Sequence, residues 1–408
     1  MTPARLVSRR WFLAGAAGTV AVLAGCSSSP SSSAGSTLAA TASAGGAAAA
    51  GSVAALAQAF YKTLDADLQS AVLLDYSLAY AKRWSNLPQA LIGGGGGAPG
   101  GSGSGGPSGG TPSGGSQSGM PSGGSPSGSS SQSGASSSSA RVGINLGQLN
   151  DDQLAALDAL LTAATGTATG LGYEQIQAQL AADDYLADNG GGDSYGRENY
   201  YVALLGSPQD SGTWELQFGG HHLAVANTYT DGKLAGATPS FRGVEPNGDF
   251  QQDSKTYNVM GVKEAAFTAM LAGLSSDQLA TAKLADAYTD LVLGPGQDWA
   301  FPTEREGVQV STLSAKTRKL VLAAIATYVD DITDADAKTI LAKYEGELAD
   351  TYLAYSGSTT LAERNDYVRI DGPSVWIEFS MQGGIVLSGN HPHTVWRDRS
   401  TDYGGTKS

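Results

Sequence analysis

The sequence predicts an α+β fold in which a mostly antiparallel sheet carries packed helices. Segments of alternating apolar and polar residues occur as neighbouring pairs joined by short glycine turns, which is typical of antiparallel hairpins. Other segments place apolar residues at helical spacing behind residues that favour a helix start. Hairpin strands combined with separate helices of this kind belong to the α+β class.

The N-terminal 26 residues match an export signal. Residues 8–13, Ser-Arg-Arg-Trp-Phe-Leu, fit the twin-arginine pattern that an export receptor recognises. The apolar run at residues 11–25 is too short and too interrupted by glycine to span a bilayer. It ends in Leu-Ala-Gly followed by Cys26, which resembles the bacterial lipobox, in which the cysteine is acylated.

Residues 1–26 are therefore predicted to be a twin-arginine lipoprotein signal peptide. We expect the twin-arginine export machinery as a partner and lipidation at Cys26. The lipid would anchor an extracytoplasmic protein to the cell membrane. The competing interpretation of the same residues is a poor transmembrane anchor.

Composition divides the rest of the chain. Residues 27–50 are mostly Ser, Ala and Gly and predict a disordered tether. Residues 51–404 are predicted to form a single α+β domain. Residues 93–140, almost wholly Gly, Ser and Pro, are predicted to be a long disordered insertion in that domain, because the segment before them is too small to have its own core. The same stretch could instead link two domains.

Charge and cysteine content exclude several functions. The formal charge of −14, without a basic patch beyond the N-terminus, argues against nucleic acid as a partner. Cys26 is the only cysteine, so the mature protein has no disulfide and no thiolate ligand or nucleophile. No P-loop, serine elbow or dinucleotide-binding glycine motif stands between a predicted strand and helix.

The helices and strands are predicted from periodicity and from N-cap residues. Asn150 followed by Gln153 has the form of a capping box, and similar starts occur at Ser275 and Ser314. These starts indicate either repeated helical hairpins or one favourable helix start used three times, and three short matches do not establish a repeat. Helices are predicted at residues 53–84 (of which 72–80 could equally be a strand), from 150, and at 262–274, 317–328 and 334–349. Strands are predicted at residues 200–205, 213–218, 223–229, 367–370, 374–381 and 385–387.

All four histidines lie in two tight pairs within these strand regions. Before His221 and His222, the apolar residues of the strand share one face, but beyond Gly219 and Gly220 the apolar positions change parity. We interpret this change as a β-bulge, which would let both imidazoles point the same way. The alternative is that one histidine of this pair packs or hydrogen-bonds in the core.

The second pair, His391 and His393, follows a predicted hairpin. The glycines at 383 and 384 are predicted to be its two-residue turn. Opposed residues share a face of the sheet, so Glu378, His391 and His393 would project from the same side. That register pairs Glu378 with Gly389, Trp376 with His391, and Ser374 with His393.

These residues predict a divalent metal site. The proposed ligands are His221, His222, His391 and His393, with Glu378 as a possible oxygen ligand. Imidazole and carboxylate without thiolate suit Zn, Mn, Fe or Cu, and the sequence does not distinguish these metals. The remaining candidates are Glu378 and Glu245 as a general base, Arg397 as a group that binds substrate, and Asp398 and Asp402 as partners that orient a histidine ring.

Several of these segments together resemble an uncharacterised bacterial and fungal family, domain of unknown function 3500. The resemblance covers residues 53–404 approximately and implies no assigned activity. The matching segments are Gly-His-His-Leu at 220–223, Thr-Pro-Ser-Phe-Arg-Gly-Val-Glu-Pro at 238–246, Gly-Pro-Ser-Val-Trp-Ile-Glu-Phe at 372–379, His-Pro-His-Thr-Val-Trp-Arg-Asp at 391–398 and Asp-Tyr-Gly at 402–404.

Three functions agree with these observations. The first is a metal-dependent hydrolase or oxidoreductase that acts on a small molecule of unknown identity. The second is a non-catalytic surface lipoprotein that binds a metal or a small ligand. A site filled by all four histidines would favour the second, because catalysis needs an open coordination position. The third is a structural module whose histidines form buried hydrogen bonds.

Overall fold

One large sheet organises the part of the chain that the structure, a computed structural model, describes: residues 48–92 and 141–407. The predicted signal peptide with Cys26, most of the tether and the predicted insertion lie outside the described residues. The helices are α1 Val53–Thr63, α2 Ala66–Val72, α3 Leu78–Ala81, α4 Gln89–Ile92, α5 Asp151–Ala164, α6 Gly172–Leu186, α7 Gly261–Ala272, α8 Ser276–Ala282, α9 Ala315–Val329 and α10 Asp334–Gly346.

The strands fall into a twelve-stranded sheet and a separate two-stranded hairpin of β8 and β9. The large sheet has the order β1-β3-β4-β5-β7-β14-β13-β12-β11-β10, with β2 beside β3 and β6 beside β5. Only the β1–β3 pair is parallel among these strands. The strands are β1 Leu73–Leu74, β2 Ile144–Asn145, β3 Tyr201–Leu205, β4 Thr213–Gly220, β5 Leu223–Thr230, β6 Lys233–Gly236, β7 Ser240–Gly243, β8 Phe250–Gln252, β9 Lys255–Tyr257, β10 Val308–Gln309, β11 Tyr352–Ser356, β12 Tyr367–Asp371, β13 Val375–Gly383 and β14 Asn390–Asp398.

The two faces of the sheet are covered differently. Alternate residues of β13, among them Ile377 and Phe379, join one core with α7, α9 and α10. The first strands of the sheet form a second core with α1, α5 and α6. On the opposite face, Phe241 and Val395 pack with residues of the irregular segments around Trp84 and Trp299. Irregular chain therefore covers the face that the helices leave open.

The described chain uses the same order of elements twice. Each half begins with a helix pair, α1–α2 in the first and α7–α8 in the second. A parallel backbone contact follows each pair: Leu73 pairs with Leu204 in the first half, and Lys283 with Tyr355 in the second. A second helix pair, α5–α6 or α9–α10, then follows a short strand, β2 or β10, that pairs antiparallel with β3 or β11. The two halves meet at the centre of the sheet, where β7 pairs with β14.

The predicted α+β class with a mostly antiparallel sheet is confirmed. Asn150 and Ser275 cap α5 and α8 with capping boxes, and Ser314 caps α9. Of these three helices, α5 and α9 occupy equivalent places in the order of elements.

Three predicted elements differ from the structure. Residues 385–387 are not a strand but part of an irregular connection between β13 and β14. The predicted helix at 53–84 is divided, since α2 ends at Val72 and the chain continues as β1. The third difference is at residues 238–246, where no strand is predicted and the central strand β7 lies. Its four residues carry too little periodicity to be recognised as a strand.

Candidate metal centre

His221 and His222 form the turn between β4 and β5. Gly220 pairs with Leu223, so only the two histidines connect the strands. The predicted β-bulge is therefore wrong: the apolar parity changes because the chain reverses direction. His222 has φ 61°, in the left-handed region that few non-glycine residues adopt. This turn, rather than a strand position, determines where its ring points.

His391 and His393 lie on β14 two residues apart, so both project from the same face. The predicted register of this hairpin is wrong, because residues 384–389 form a longer connection than a two-residue turn. Glu378 nevertheless shares a face of the sheet with the two histidines, as predicted. Ser380, two residues along β13 on the same face as Glu378, lies opposite His393. The observed pairs are Gly383 with Asn390, Gln382 with His391, Ser380 with His393, Glu378 with Val395, and Trp376 with Arg397.

Strand β7 brings the two histidine pairs together. It pairs with β5 on one side and with β14 on the other, and Gly243 lies opposite His393. The backbone N–H of Gly243 donates to the carbonyl of His222 at 2.8 Å. A Cβ atom at Gly243 would lie 3.2 Å from Cδ2 of His393 and 3.3 Å from Cδ2 of His222. Glycine at this position therefore leaves room for both imidazole rings.

Three imidazoles converge through their Nε2 atoms. Nε2 of His393 lies 3.2 Å from Nε2 of His222 and 3.3 Å from Nε2 of His391. One ligand atom from each of the three residues lies within 4.8 Å of the others. All three residues are buried, with His393 the most exposed at 8%. This group could hold a metal ion.

The spacing of the nitrogens fits a tetrahedral ion. Two nitrogens bound to zinc at about 2.0–2.1 Å are separated by about 3.3–3.4 Å in tetrahedral geometry. A single two-centre hydrogen bond does not account for both contacts of Nε2 of His393. A neutral ring nitrogen has either one hydrogen or one lone pair, so Nε2 cannot donate to one neighbour and accept from the other. Three lone pairs directed at one cation satisfy all three rings.

The electrostatics of the site keep two of these rings neutral. Burial, followed by the neighbouring His393 and His221, lowers the pKa of His391 to about 3. Burial and the other three histidines hold the pKa of His222 well below its usual value. Histidine binds a metal in its neutral form, so both shifts favour a cation over a proton. Nδ1 of His391 is buried without a hydrogen-bond partner among the described residues.

His221, predicted as a fourth ligand, is not in the group of three. Its Nδ1 lies 2.6 Å from Oδ1 of Asp183 on α6, and its ring stacks on His222 with centroids 3.7 Å apart. Tyr195 packs edge-on against the same ring at 4.9 Å. The His221 ring thus supports the His222 ring from behind. Asp183 was not among the predicted residues, because α6 has no spacing that connects it to the histidines.

Asp290 is a second carboxylate that the sequence did not single out. Its Oδ1 lies 3.2 Å from Nδ1 of His393, and its side chain is 35% exposed. Burial raises the pKa of Asp290, but the hydrogen bond and charge of His393 outweigh burial, so the pKa is lowered. A carboxylate on the far nitrogen of a metal-binding histidine commonly fixes its ring and tautomer.

Glu378, predicted as a base or ligand, anchors the irregular segment that bears Asp290. Its carboxylate accepts from the backbone N–H of Val292 at 2.6 Å and of Leu293 at 2.8 Å. It also accepts from Tyr367 at 2.7 Å and from the Trp376 indole at 2.8 Å. Burial raises the pKa of Glu378 despite these four donors. The side chain shares the sheet face of the histidines but lies outside their group.

Glu245, the other predicted base, holds the β13–β14 connection. Its Oε1 accepts from three successive backbone N–H groups, those of Ile385, Val386 and Leu387, at 2.6–3.1 Å. The three donors define the path of residues 384–389. Glu245 therefore shapes the hairpin whose second strand, β14, carries His391.

Arg397 and Asp398 end β14 and Asp402 lies just beyond it, and the contacts of these residues are with other groups. The buried guanidinium of Arg397 donates to Asp402 at 2.7 Å and to Asp298 at 3.0 Å. Asp398 points to the helical side, where it accepts from Tyr344 of α10 at 2.7 Å. These residues fix the C-terminal end of β14 rather than orient a histidine ring.

Comparison with known proteins gives a family. The family model described as Protein of unknown function (DUF3500) matches residues 133–405, which include all four histidines. The chain belongs to this family. The match to DUF3500 begins after residue 92, so α1 and β1, which the resemblance was expected to include, lie outside it. No curated protein and no solved structure matches the chain. Within the described part of this DUF3500 protein, no helix is both long and apolar enough to cross a bilayer.

Proposed function

We propose that this protein is a metal-dependent enzyme whose single divalent ion is bound by His222, His391 and His393. The observation that carries the proposal is the convergence of three buried imidazoles, in which Nε2 of His393 lies at tetrahedral spacing, 3.2 and 3.3 Å, from Nε2 of His222 and of His391. Three protein ligands leave one coordination position for water or substrate, as in catalytic zinc sites. A bound metal would acidify a water molecule or polarise a substrate oxygen there.

Hydrolysis is the reaction that this ligand set supports best. Zinc suits three neutral imidazoles, carries no redox chemistry, and makes a bound water acidic near neutral pH. Iron or copper in the same ligands would instead support an oxidoreductase. The metal found in the protein as it is exported therefore separates the two reaction types.

The surrounding residues would hold the ligands in place. Asp290 accepts the Nδ1 hydrogen of His393 and leaves Nε2 with its lone pair. His221, fixed by Asp183, limits rotation of the His222 ring. The exposed fraction of Asp290 marks the side from which solvent and a small substrate would reach the ion.

The test is metal analysis of the folded protein purified from the exporting cell. We expect about one equivalent of a divalent metal. His222→Ala and His393→Ala should each remove it, whereas Gln382→Ala, which alters the neighbour of His391 on β13, should retain it. Absence of bound metal, together with unchanged binding of added Zn²⁺ by both histidine variants, would overturn the proposal.

A non-catalytic metal-binding role is the second candidate. The enclosure of the site favours it, since His222 is 3% and His391 1% exposed. Replacement of the native metal by Co²⁺ distinguishes the roles. A visible spectrum that changes when azide is added indicates an open position and supports the enzyme. A spectrum that azide leaves unchanged favours the binding role.

The N-terminal motifs support a proposed location outside the cytoplasm with a lipid anchor at Cys26. Twin-arginine export carries folded proteins, so the metal would be inserted before transport. In cells given radiolabelled palmitate, the full chain should take up label and Cys26→Ser should not. Replacement of both Arg9 and Arg10 with Lys should leave the protein in the cytoplasm. Equal labelling of the wild-type and Cys26→Ser proteins would exclude the anchor.

A further inference from the structure

A cavity of about 400 Å³ lies on the histidine-bearing face of the sheet, separate from the metal centre. It is lined by Phe301, Pro302, Thr303, Arg305 and Arg399. Four of these residues belong to the irregular segment between α8 and β10, the segment that also bears Asp290. Two arginines therefore line one cavity in a chain with a net charge of −14.

Arg399 is held rigidly in the wall of this cavity. Its guanidinium donates to Oδ1 of Asp371 at 2.7 Å and to the carbonyl of Gly372 at 3.3 Å. It also lies over the ring of Phe301 at 4.5 Å and over that of Trp376 at 5.6 Å. A guanidinium fixed in this way has lost its rotational freedom before a ligand arrives, so binding costs less entropy.

Arg305 shares the same counter-ion. Its Nε lies 3.7 Å from Oδ1 of Asp371, and one terminal nitrogen donates to the carbonyl of Asp350 at 3.1 Å. These two guanidiniums and one carboxylate sum to a charge of +1; of the adjacent acids, Glu306 pairs with Arg369 at 2.6 Å and Glu304 is exposed. The side chains of Arg305 and Arg399 are 31% and 21% exposed, so the excess charge is accessible to a ligand.

The other half of the molecule shows to which groups such an arginine donates hydrogen bonds. Arg141 precedes Gly143 by two residues, as Arg305 precedes Gly307, and both glycines have positive φ beside the equivalent strands β3 and β11. Arg141 donates to the carbonyls of Ser85 at 2.9 Å and Leu87 at 2.6 Å and to Oε1 of Gln89 at 3.0 Å. The chain itself thus supplies oxygen acceptors to Arg141, and the cavity beside it measures only about 10 Å³.

We propose that the cavity at Arg305 and Arg399 binds the carboxylate of a small organic acid with an apolar body. The planar donor edge of arginine matches a carboxylate in shape and charge. The excess charge of +1 suits one carboxylate. Phe301 and Pro302 provide an apolar wall for the rest of the ligand. This site is independent of the metal centre.

Calorimetric titration of the full chain with benzoate tests the site. Benzoate should bind at least tenfold more tightly than benzamide, which has the same shape without the charge. Arg305→Gln should weaken benzoate binding at least tenfold, and Arg305→Lys should weaken it less. Lys319→Gln removes the same charge from an exposed position on α9 and should have no effect.

Three results would overturn the proposal. Equal affinity for benzoate and benzamide would exclude recognition of charge. Unchanged benzoate affinity in Arg305→Gln would place binding elsewhere. Inorganic phosphate bound as tightly as benzoate would exclude a preference for a carboxylate with an apolar body.

Discussion

Asp290 Oδ1 and His393 Nδ1 lie 3.2 Å apart, although 103 residues separate them in the chain. This contact links an irregular segment to a regular strand at the metal centre. The far end of the same segment lines the cavity of Arg305 and Arg399. The segment between α8 and β10 therefore serves two polar sites on one face of the sheet.

Asp290→Asn should weaken metal binding without unfolding the protein. The amide keeps the shape of the side chain but lacks the charge that stabilises the Nδ1 hydrogen of His393. Loss of such a partner commonly costs about 10- to 100-fold in metal affinity. Competition with a chromophoric chelator measures the change. Asp286→Asn, an exposed substitution in the same segment, is the matched control, and equal affinity of the two variants would contradict the assigned role of Asp290.

Removal of the metal should destabilise the folded protein. An ion that binds only the native state contributes about 4 kcal/mol when present at 1,000 times its dissociation constant. A chelator should therefore lower the midpoint of thermal unfolding by roughly 5–10 °C. His222→Ala should unfold at a temperature that the chelator does not change. A chelator effect that persists in this variant would place the metal elsewhere.

Gly243→Ala should affect both stability and metal binding. The new Cβ would lie 2.9 Å from the carbonyl oxygen of Pro392 and within 3.3 Å of two ligand rings. Overpacking of this kind costs about 1–3 kcal/mol, which chemical denaturation measures. Displacement of the rings should also weaken metal binding. Gly389→Ala has open space around its Cβ and should be close to neutral in both measurements.

Glu215, which lies outside the candidate metal centre, should make the stability of the folded protein depend on pH. The side chain is buried on β4, where it accepts a hydrogen bond from Thr228 at 2.9 Å, and burial raises its pKa to about 8. In the unfolded chain the pKa is about 4.3, so the native state binds more protons between these values. Its contribution to stability is complete below the unfolded pKa and is lost as pH rises to 8 and above.

Glu215→Gln keeps the shape of the neutral carboxyl group but does not titrate, so it should remove this pH dependence of stability. At pH 8.5 the advantage of the variant over the wild type should be roughly 4 kcal/mol larger than at pH 5, where the difference should be small. Urea denaturation at the two pH values measures it. The exposed substitution Glu345→Gln controls for the change of charge. A stability difference that is the same at both pH values would show that Glu215 is charged in the folded protein at pH 5.

The sequence alone predicted the class of fold and the histidines that meet. The structure contains the strand predicted from period-two alternation in β13 and the capping boxes predicted at Asn150 and Ser275. Both predictions use only local patterns of residues. The concentration of the four histidines in two pairs indicated one site, and three of them share it. These features depend on residues close together in the chain.

Long-range partners were not predictable in the same way. Asp183 and Asp290 reach the histidines only because the sheet places α6 and an irregular segment beside them. The register of β13 and β14 was missed because two glycines suggested a tight turn, whereas Glu245 holds a longer connection through three backbone N–H groups. That contact joins residues about 140 positions apart, so local patterns do not contain it.

The duplicated order of elements divides the three histidines that we propose as metal ligands between two half-chains. His222 comes from the half that ends with β7, and His391 and His393 come from the half that ends with β14. A protein cut in the tight turn of the β8–β9 hairpin would have one ligand on one fragment and two on the other. The ion would then be retained only when the two fragments reassociate through the β7–β14 strand pair. Such a division fits an origin in which two similar polypeptides assembled side by side before they were fused.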